Sequence, residues 1–390
     1  MVRTRLRLIV ASLLLSLVTT SAPAAPEEKG LSSVIEAISS NQLDLALKRV
    51  DGILAERPNF RLAHLIRGDL LMARTKPIDR FGNVAKTVPQ ERVDELRAEA
   101  LARLRAQRER PNGDRLPRYV VQMQPAQKYA VVVDSKRSRL YLYENVGGEP
   151  RLARDYYVTL GKRGIFKTLE GDQKTPIGVY HVTGNMSRQK LPDLYGSGAY
   201  SINYPNEWDR RHGRNGHGIW LHGVPRDTFS RPPWASDGCI ALSNPDLDSL
   251  GHLLQIGLTP VIIADEVEWV EPSVLDLERK SLSAAIEAWR ADWESRDTER
   301  YLSHYSARLR AGDRDLAAWT DYKRKVNGGK SWIKVGLSAL SMFRYPREGD
   351  FVVVTFDQDY RSSNLSATGK KRQYWTREGG QWKILYEGGA

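Results

Sequence analysis

Apolar residues in the first third of the chain recur at helical spacing. Val34, Ile35, Ile38, Leu43, Leu45, Ala46, Leu47, Val50, Ile53 and Leu54 follow that period until Pro58 ends it. Arg61 to Leu71 begins another helix, with Leu62, Leu65, Ile66 and Leu70 on one face. A third, highly charged helix is predicted from about Gln90 to Arg110, closed by the loop chemistry of Pro111-Asn112-Gly113-Asp114. From Tyr129 the pattern changes to short β-branched and aromatic runs separated by turn residues. These are Ala130–Val133, Leu140–Tyr143, Asp155–Leu160, Gly178–Val182, Ile219–Leu221 and Pro260–Ile263. No long helix interrupts them before about Pro245, so this part reads as all-β-leaning. A third part begins near Glu271. Leu282 to Trp293 is an amphipathic helix whose pattern continues through Arg300–Tyr305. Strands follow at Ser331–Val335, Phe351–Asp357, Lys371–Arg377 and Gln381–Tyr386, the last two joined by Glu378-Gly379-Gly380, a hairpin signal.

The first residues read as a targeting segment. Arg3, Arg5 and Arg7 form a positive n-region, Leu8 to Val18 an apolar stretch, and Ala22-Pro23-Ala24 a small-x-small cleavage site. That apolar stretch is too short to span a bilayer, so no transmembrane anchor is expected. The predicted organisation is a signal peptide at 1–24, an α-helical module at 27–117, a β-rich domain at 126–266 and an α+β domain at 276–390. The expected location is exported, in the periplasm or cell wall. The formal charge is +12, and losing the three leader arginines leaves +9, which favours an anionic partner. The basic residues are spread along the chain without interleaved aromatics, which argues against nucleic acid. One cysteine, Cys239, excludes an internal disulfide framework and any Cys-cluster metal site. In an exported protein a single thiol is the residue to explain.

Candidate chemistry is concentrated between Asn203 and Asn244, NYPNEWDRRHGRNGHGIWLHGVPRDTFSRPPWASDGCIALSN. His222 ends a predicted strand, and Cys239 lies 17 residues later in a turn opened by Gly238. An imidazole within reach of a thiol supplies the base a cysteine nucleophile needs. The residues alone leave a second reading open, a buried structural cysteine near a core histidine. A reactive thiol is expected to have a depressed pKa and a buried structural one is not. His212, His217 and His222 are spaced by five, but an odd separation on a strand puts His217 and His222 on opposite faces. No metal and no cofactor are therefore expected.

The block is similar to the L,D-transpeptidase (YkuD-type) catalytic domain, whose signature is His-Gly, a variable stretch of this length, then Ser-x-Gly-Cys. Upstream, Tyr129–Val133, Leu140–Tyr143, Leu160-Gly161-Lys162 and Lys174-Thr175-Pro176-Ile177-Gly178-Val179-Tyr180 resemble that family's elements in the same order. The resemblance implies a cysteine acyltransferase acting on peptidoglycan stem peptides through a Cys239 thioester, cross-linking or remodelling the wall. His222 would move the proton, the Gly223 carbonyl would orient the ring, and the Gly238 and Cys239 amides would hold the oxyanion. Ser236, Asp237, His217, Tyr204, Asn206 and Arg231 are the candidate substrate-binding residues. Carbapenem-type β-lactams are expected to acylate Cys239.

Two positions depart from the family pattern: Asp237, where many members carry His, and Ala241, where many carry Arg or Asn. An acidic neighbour raises a thiol pKa unless arginines such as Arg226 or Arg231 compensate. The acyl acceptor is thereby left open between an amine and water, the latter making the enzyme an L,D-carboxypeptidase or an amidase acting on wall-protein links. A non-catalytic wall-binding module is the alternative of another class. The C-terminal part resembles the nuclear transport factor 2-like fold, a binding or dimerisation module that could engage a wall-attached protein or a second copy. Its aromatics Trp289, Trp293, Tyr301, Tyr305, Tyr374 and Trp375 read as core. Asn41–Leu71 resembles a single tetratricopeptide unit, or else a helical cap on the next domain.

Overall fold

The computed structural model describes residues 26–85, 87–109 and 114–390. The expected signal peptide and residues 110–113 of the expected loop lie outside them. The N-terminal part is helical: α1 (Pro26–Ser39), α2 (Leu43–Glu56), α3 (Arg61–Ala73) and α4 (Gln90–Arg108). Val34, Val50, Leu62 and Ile66 share an apolar core that also contains Phe229, a residue from the β-rich domain. The charged α4 buries an ion pair, Arg103 to Glu99 at 2.9 Å.

The β-rich domain is built on an eight-stranded sheet. Its order is Ile240–Ala241, Trp220–His222, Gly198–Ile202, Gly178–Ser187, Pro260–Ala264, Tyr129–Asp134, Arg139–Val146 and Glu149–Tyr157. Pro260–Ala264 runs parallel to Tyr129–Asp134, and Ile240–Ala241 parallel to Trp220–His222. The runs AVVV and VII are continuous rather than alternating because both faces of the sheet are covered. Val131, Val133, Val261 and Ile263 face one core with Leu247 and Leu250, while Ala130, Val132 and Ile262 face another with Phe343, Tyr345, Phe351 and Val353 of the C-terminal domain.

That C-terminal domain is a six-stranded sheet, ordered Tyr305–Arg310, Gln381–Gly389, Leu365–Glu378, Phe351–Ser362, Ile333–Arg344 and Val120–Gln122. The last strand comes from before the β-rich domain, a pairing that no local pattern announced. Pro272–Ser295, Thr298–Ser303 and Leu316–Gly328 are its helices. The helical pattern across 282–305 is in fact two helices. Arg296 adopts φ 65 at the first one's end, and the Asp297 side chain accepts the Arg300 amide to cap the next. The expected hairpin forms with Glu378 opposite Gln381, and Gly379 and Gly380 both take positive φ, as a two-residue turn of this hand requires. All six aromatics read as core are buried. Among them lies Lys323, its ammonium 4.5 Å from the Trp293 and Trp319 rings and its pKa held down at about 8 by burial.

Candidate active site

His222 ends its strand with the ring buried, and Nδ1 lies 2.6 Å from the Gly223 carbonyl. A carbonyl only accepts, so the proton sits on Nδ1 and Nε2 is left as the base. The next residue must be glycine because a Cβ on Gly223 would come within 2.1 Å of Asn244 Oδ1. That oxygen accepts the Ser197 and Val224 amides at 2.9 and 3.1 Å, while Asn244 Nδ2 donates to the Val224 carbonyl at 2.9 Å. Asn244 thus ties both chains flanking the His-Gly pair. Tyr195 closes the ring from the side, edge-on with centroids 5.1 Å apart.

Ala241 pairs with His222 in parallel register. Continuing that register by two residues puts Cys239 opposite Trp220, so Cys239 and His222 project from the same face of the sheet. The thiol donates to the Gly218 carbonyl at 3.3 Å. Gly238 has φ 121, and a Cβ there would meet the Lys174 carbonyl at 2.7 Å, so only glycine lets the Lys174–Pro176 segment pack against this turn. Ser236 Oγ holds the turn from inside, donating to the Cys239 carbonyl at 2.6 Å and accepting the Gly238 amide at 3.1 Å. The Gly238 amide, expected to face the oxyanion, is therefore already engaged.

Burial dominates the electrostatics. It pushes the Cys239 thiol up to about 11; the Trp220 amide, Lys167 and Arg231 pull the other way, and Asp237 adds to the rise. Burial holds His222 down at about 4, assisted by Arg231 and opposed by the Gly223 carbonyl. The expected depressed thiol is not what the free site holds. The resting pair is neutral thiol and neutral imidazole. Asp237 is exposed and answered by Lys162 at 2.8 Å and Gln173 at 3.3 Å. Arg231 donates to the Ala235 carbonyl and lies in electrostatic range of both Asp237 and Cys239.

The remaining candidates go elsewhere. His217 is exposed, 3.3 Å from Glu170, beside the Gly218 whose carbonyl accepts the thiol. Tyr204 is buried and its hydroxyl donates to the Asn215 carbonyl at 3.0 Å. Asn206 caps the helix Glu207–Arg211 and donates to the Val179 carbonyl and the Tyr345 hydroxyl, both at 3.0 Å. Asn206 serves the contact between domains and Tyr204 is buried in the β-rich domain's own core, so neither is free to hold substrate. His212 packs on Trp208, away from His222.

Known proteins give this arrangement its context. The YkuD family model, described as the L,D-transpeptidase catalytic domain, matches residues 128–263. The Cds6 C-terminal NTF2-like domain matches residues 281–388. The structure of Bd1075 from Bdellovibrio bacteriovorus is 31% identical with a TM-score of 0.63, and the likeness covers 71% of this chain and 98% of that one. The chain belongs to the L,D-transpeptidase (YkuD) family. Pgp2 of Campylobacter jejuni, titled a helical cell shape determining protein, is 26% identical with a TM-score of 0.60, over 70% of this chain and 95% of Pgp2. YafK of Escherichia coli K12, which carries the L,D-transpeptidase name provisionally, is 30% identical over 133 residues, 34% of this chain. This chain spans about half of YafK's length, 49%.

In this L,D-transpeptidase-family chain the positioning residues Asn244, Tyr195 and Thr175 had not been singled out. Thr175 Oγ1 accepts the Gly161 amide at 2.9 Å, linking two of the recognised segments. Asn244 left one clue. Ser243 already caps the helix Asn244–Gly251, so an Asn directly after it has no helical role to fill.

His222, buried, and His181, half-buried, give a pH dependence of stability. His181 is also held down at about 4, by burial and then by Arg372. Both histidines are neutral when folded and titrate near 6.5 when unfolded, so protonation favours unfolding. Stability is complete above about pH 6.5 and falls as the pH drops toward 4, by on the order of 3 kcal/mol for each histidine. Denaturant melts of His181→Gln and the parent at pH 7 and pH 5 test this. The variant should lose less stability between them, and equal losses would remove His181 from the account.

Proposed function

We propose that this chain is a cysteine acyl-transfer enzyme of the cell wall. Cys239 attacks the carbonyl of the L-residue that precedes a D-residue in a peptidoglycan stem peptide. The observation that carries this is the fixed tautomer of His222, which leaves Nε2 unprotonated on the face it shares with Cys239. Because burial disfavours both charged forms, the thiol proton moves to Nε2 as the S–C bond forms, and no thiolate precedes attack. The oxyanion is then met by the Cys239 amide, since Ser236 holds that of Gly238. His222 returns the proton to the nitrogen of the D-residue, the C–N bond breaks, and the thioester remains. An amine of a neighbouring stem then accepts the acyl group, giving a cross-link.

A second reading, with water as acceptor, is favoured by Ala241. It lies buried in the ladder opposite His222 and offers an incoming amine no polar contact. The same chemistry then yields an L,D-carboxypeptidase, or an amidase on wall-protein links. Pgp2's title suits either outcome, since both remodel the wall, and we extend cell-shape remodelling in the periplasm to this chain on that basis.

Incubating the protein with disaccharide-tetrapeptide, with Cys239→Ala alongside, and reading masses tests the proposal. A dimer mass less one D-alanine supports transpeptidation, and tripeptide without dimer supports hydrolysis. No Cys239-dependent change, together with no acylation of Cys239 by a carbapenem, would mean an idle domain.

A further inference from the structure

The loop 224–235 that separates His222-Gly223 from the Cys239 turn does not rest on the catalytic domain alone. Its centre is plugged into the helical module. Phe229 is 5% exposed, its ring 4.5 Å from that of Phe60 at the start of α3, within the core formed by α1, α2 and α3. Polar tethers hold the loop on either side of this plug. Asn59 Nδ2 donates to the Arg226 carbonyl at 2.9 Å, and Arg61 pairs with Asp227 at 3.5 Å. Ser230 donates to Glu99 of α4 at 2.6 Å, and Glu99 is itself buried against Arg103.

The chain of contacts continues toward the thiol. The Arg103 guanidinium lies 3.9 Å over the Tyr157 ring. The Tyr157 hydroxyl and Thr159 Oγ1 both donate to the Arg231 carbonyl, at 2.9 and 3.0 Å. Leu160 donates to the Pro233 carbonyl at 2.7 Å, and Trp234–Ser236 then pairs in parallel with Leu160–Gly161. The backbone of Arg231 is thus held by two groups of the β-rich domain, one of which, Tyr157, carries Arg103 of the helical module on its ring. The Arg231 guanidinium turns inward to the Ala235 carbonyl, within the fields of Asp237, Cys239 and Glu95 of α4.

We infer that the helical module is a working part of the active site: by gripping Phe229 it sets the loop so that Arg231 stands beside Cys239 as the positive charge that draws in a carboxylate-bearing substrate. Phe229 and Ser230 are positioning residues, and Arg231 is the group that meets the anion. The identity of that anion as a stem peptide rests on the acyl-transfer reading above; the placement of Arg231 does not. An arginine keeps its charge across the working pH range and offers a planar fork matched to a carboxylate.

The test compares alkylation of Cys239 in the full chain by iodoacetate, an anion, and by iodoacetamide, its neutral counterpart. The parent should favour iodoacetate relative to a free thiol, and Arg231→Gln should lower the iodoacetate-to-iodoacetamide ratio by roughly three- to tenfold. Phe229→Ala should lower it similarly while iodoacetamide still reacts within about twofold of the parent, and Phe229→Leu should restore it. Should Phe229→Ala fail to fold, the double variant Asn59→Ala, Ser230→Ala removes only two tethers and carries the same expectation. A parental ratio in a folded Phe229 or tether variant overturns the role of the module, and a parental ratio in Arg231→Gln overturns the role of the arginine. A ratio that falls as expected in a protein that leaves tetrapeptide untouched supports the inference and removes only the proposed reaction.

Discussion

Replacing His222 with Gln is expected to slow acylation of Cys239 by a carbapenem at pH 7 by roughly 10²–10⁴-fold, the usual contribution of a positioned base. The reason is the neutral resting pair. With the thiol held up at about 11, unaided ionisation supplies almost no thiolate at pH 7, so attack depends on transfer to Nε2. The same argument sets the pH dependence of the defect. The thiolate fraction rises tenfold per pH unit below about 11, so the gap between variant and parent should narrow steadily as the pH is raised. In the parent the base is lost only when His222 protonates, near pH 4. Intact-mass kinetics at several pH values give the answer. A variant that acylates at the parental rate would sink the general-base role, and a constant gap across pH would sink the neutral-pair account.

The second large effect belongs to Trp208. It stands on the short helix Glu207–Arg211 of the catalytic domain but packs into the C-terminal one, 4.3 Å from the Phe351 ring and 5.8 Å from that of Tyr374. Its indole donates to Glu348 at 3.3 Å. Beside it, Arg372 grips both oxygens of Glu207, at 2.7 and 2.9 Å. Trp208→Ala should cost about 3–5 kcal/mol, as truncation of a buried aromatic does. Because the residue joins two domains, denaturant unfolding, expected to be a single transition in the parent, should separate into two. A single transition shifted by less than about 1 kcal/mol would show that the interface does not couple the domains.

Much of the site was legible because its chemistry is local in sequence. His222-Gly223 and Ser236-Asp237-Gly238-Cys239 are short runs readable as they stand, although the steric demands on their glycines come from Asn244 and Lys174 in distant segments. The strands 129–134 and 260–264 were visible as unbroken apolar runs. What was not legible is relational. Tyr204 and Asn206 precede the motif in sequence, yet Tyr204 is spent inside the core of its own domain and Asn206 reaches the Tyr345 hydroxyl of the C-terminal one. Asn244 acts on backbone amides 20 and 47 residues away. A depressed thiol was expected because a nucleophile calls for one, and Asp237 was the named reason for a rise; that burial would outweigh every neighbouring charge could not be read from those residues. Phe229 looked like an ordinary loop residue, since the core it fills is built from residues more than a hundred positions earlier.

The strand Val120–Gln122 has a consequence for how the molecule is made. It pairs with Ile333–Arg344, and Gln122 Nε2 reaches the Leu340 carbonyl across 218 residues. Topologically the catalytic domain is an insertion between one edge strand of the C-terminal sheet and the rest of it. A chain that emerges from its N-terminus delivers Tyr119, Val120 and Val121 first, and all three are covered in the finished fold. Their cover includes Phe343, which arrives only after the whole catalytic sheet has been synthesised. During that interval the protein carries a sticky apolar edge that its own sequence cannot yet hide. The burden falls on whatever shields the nascent chain, and a catalytic domain produced without residues 333–344 would carry the same bare edge permanently.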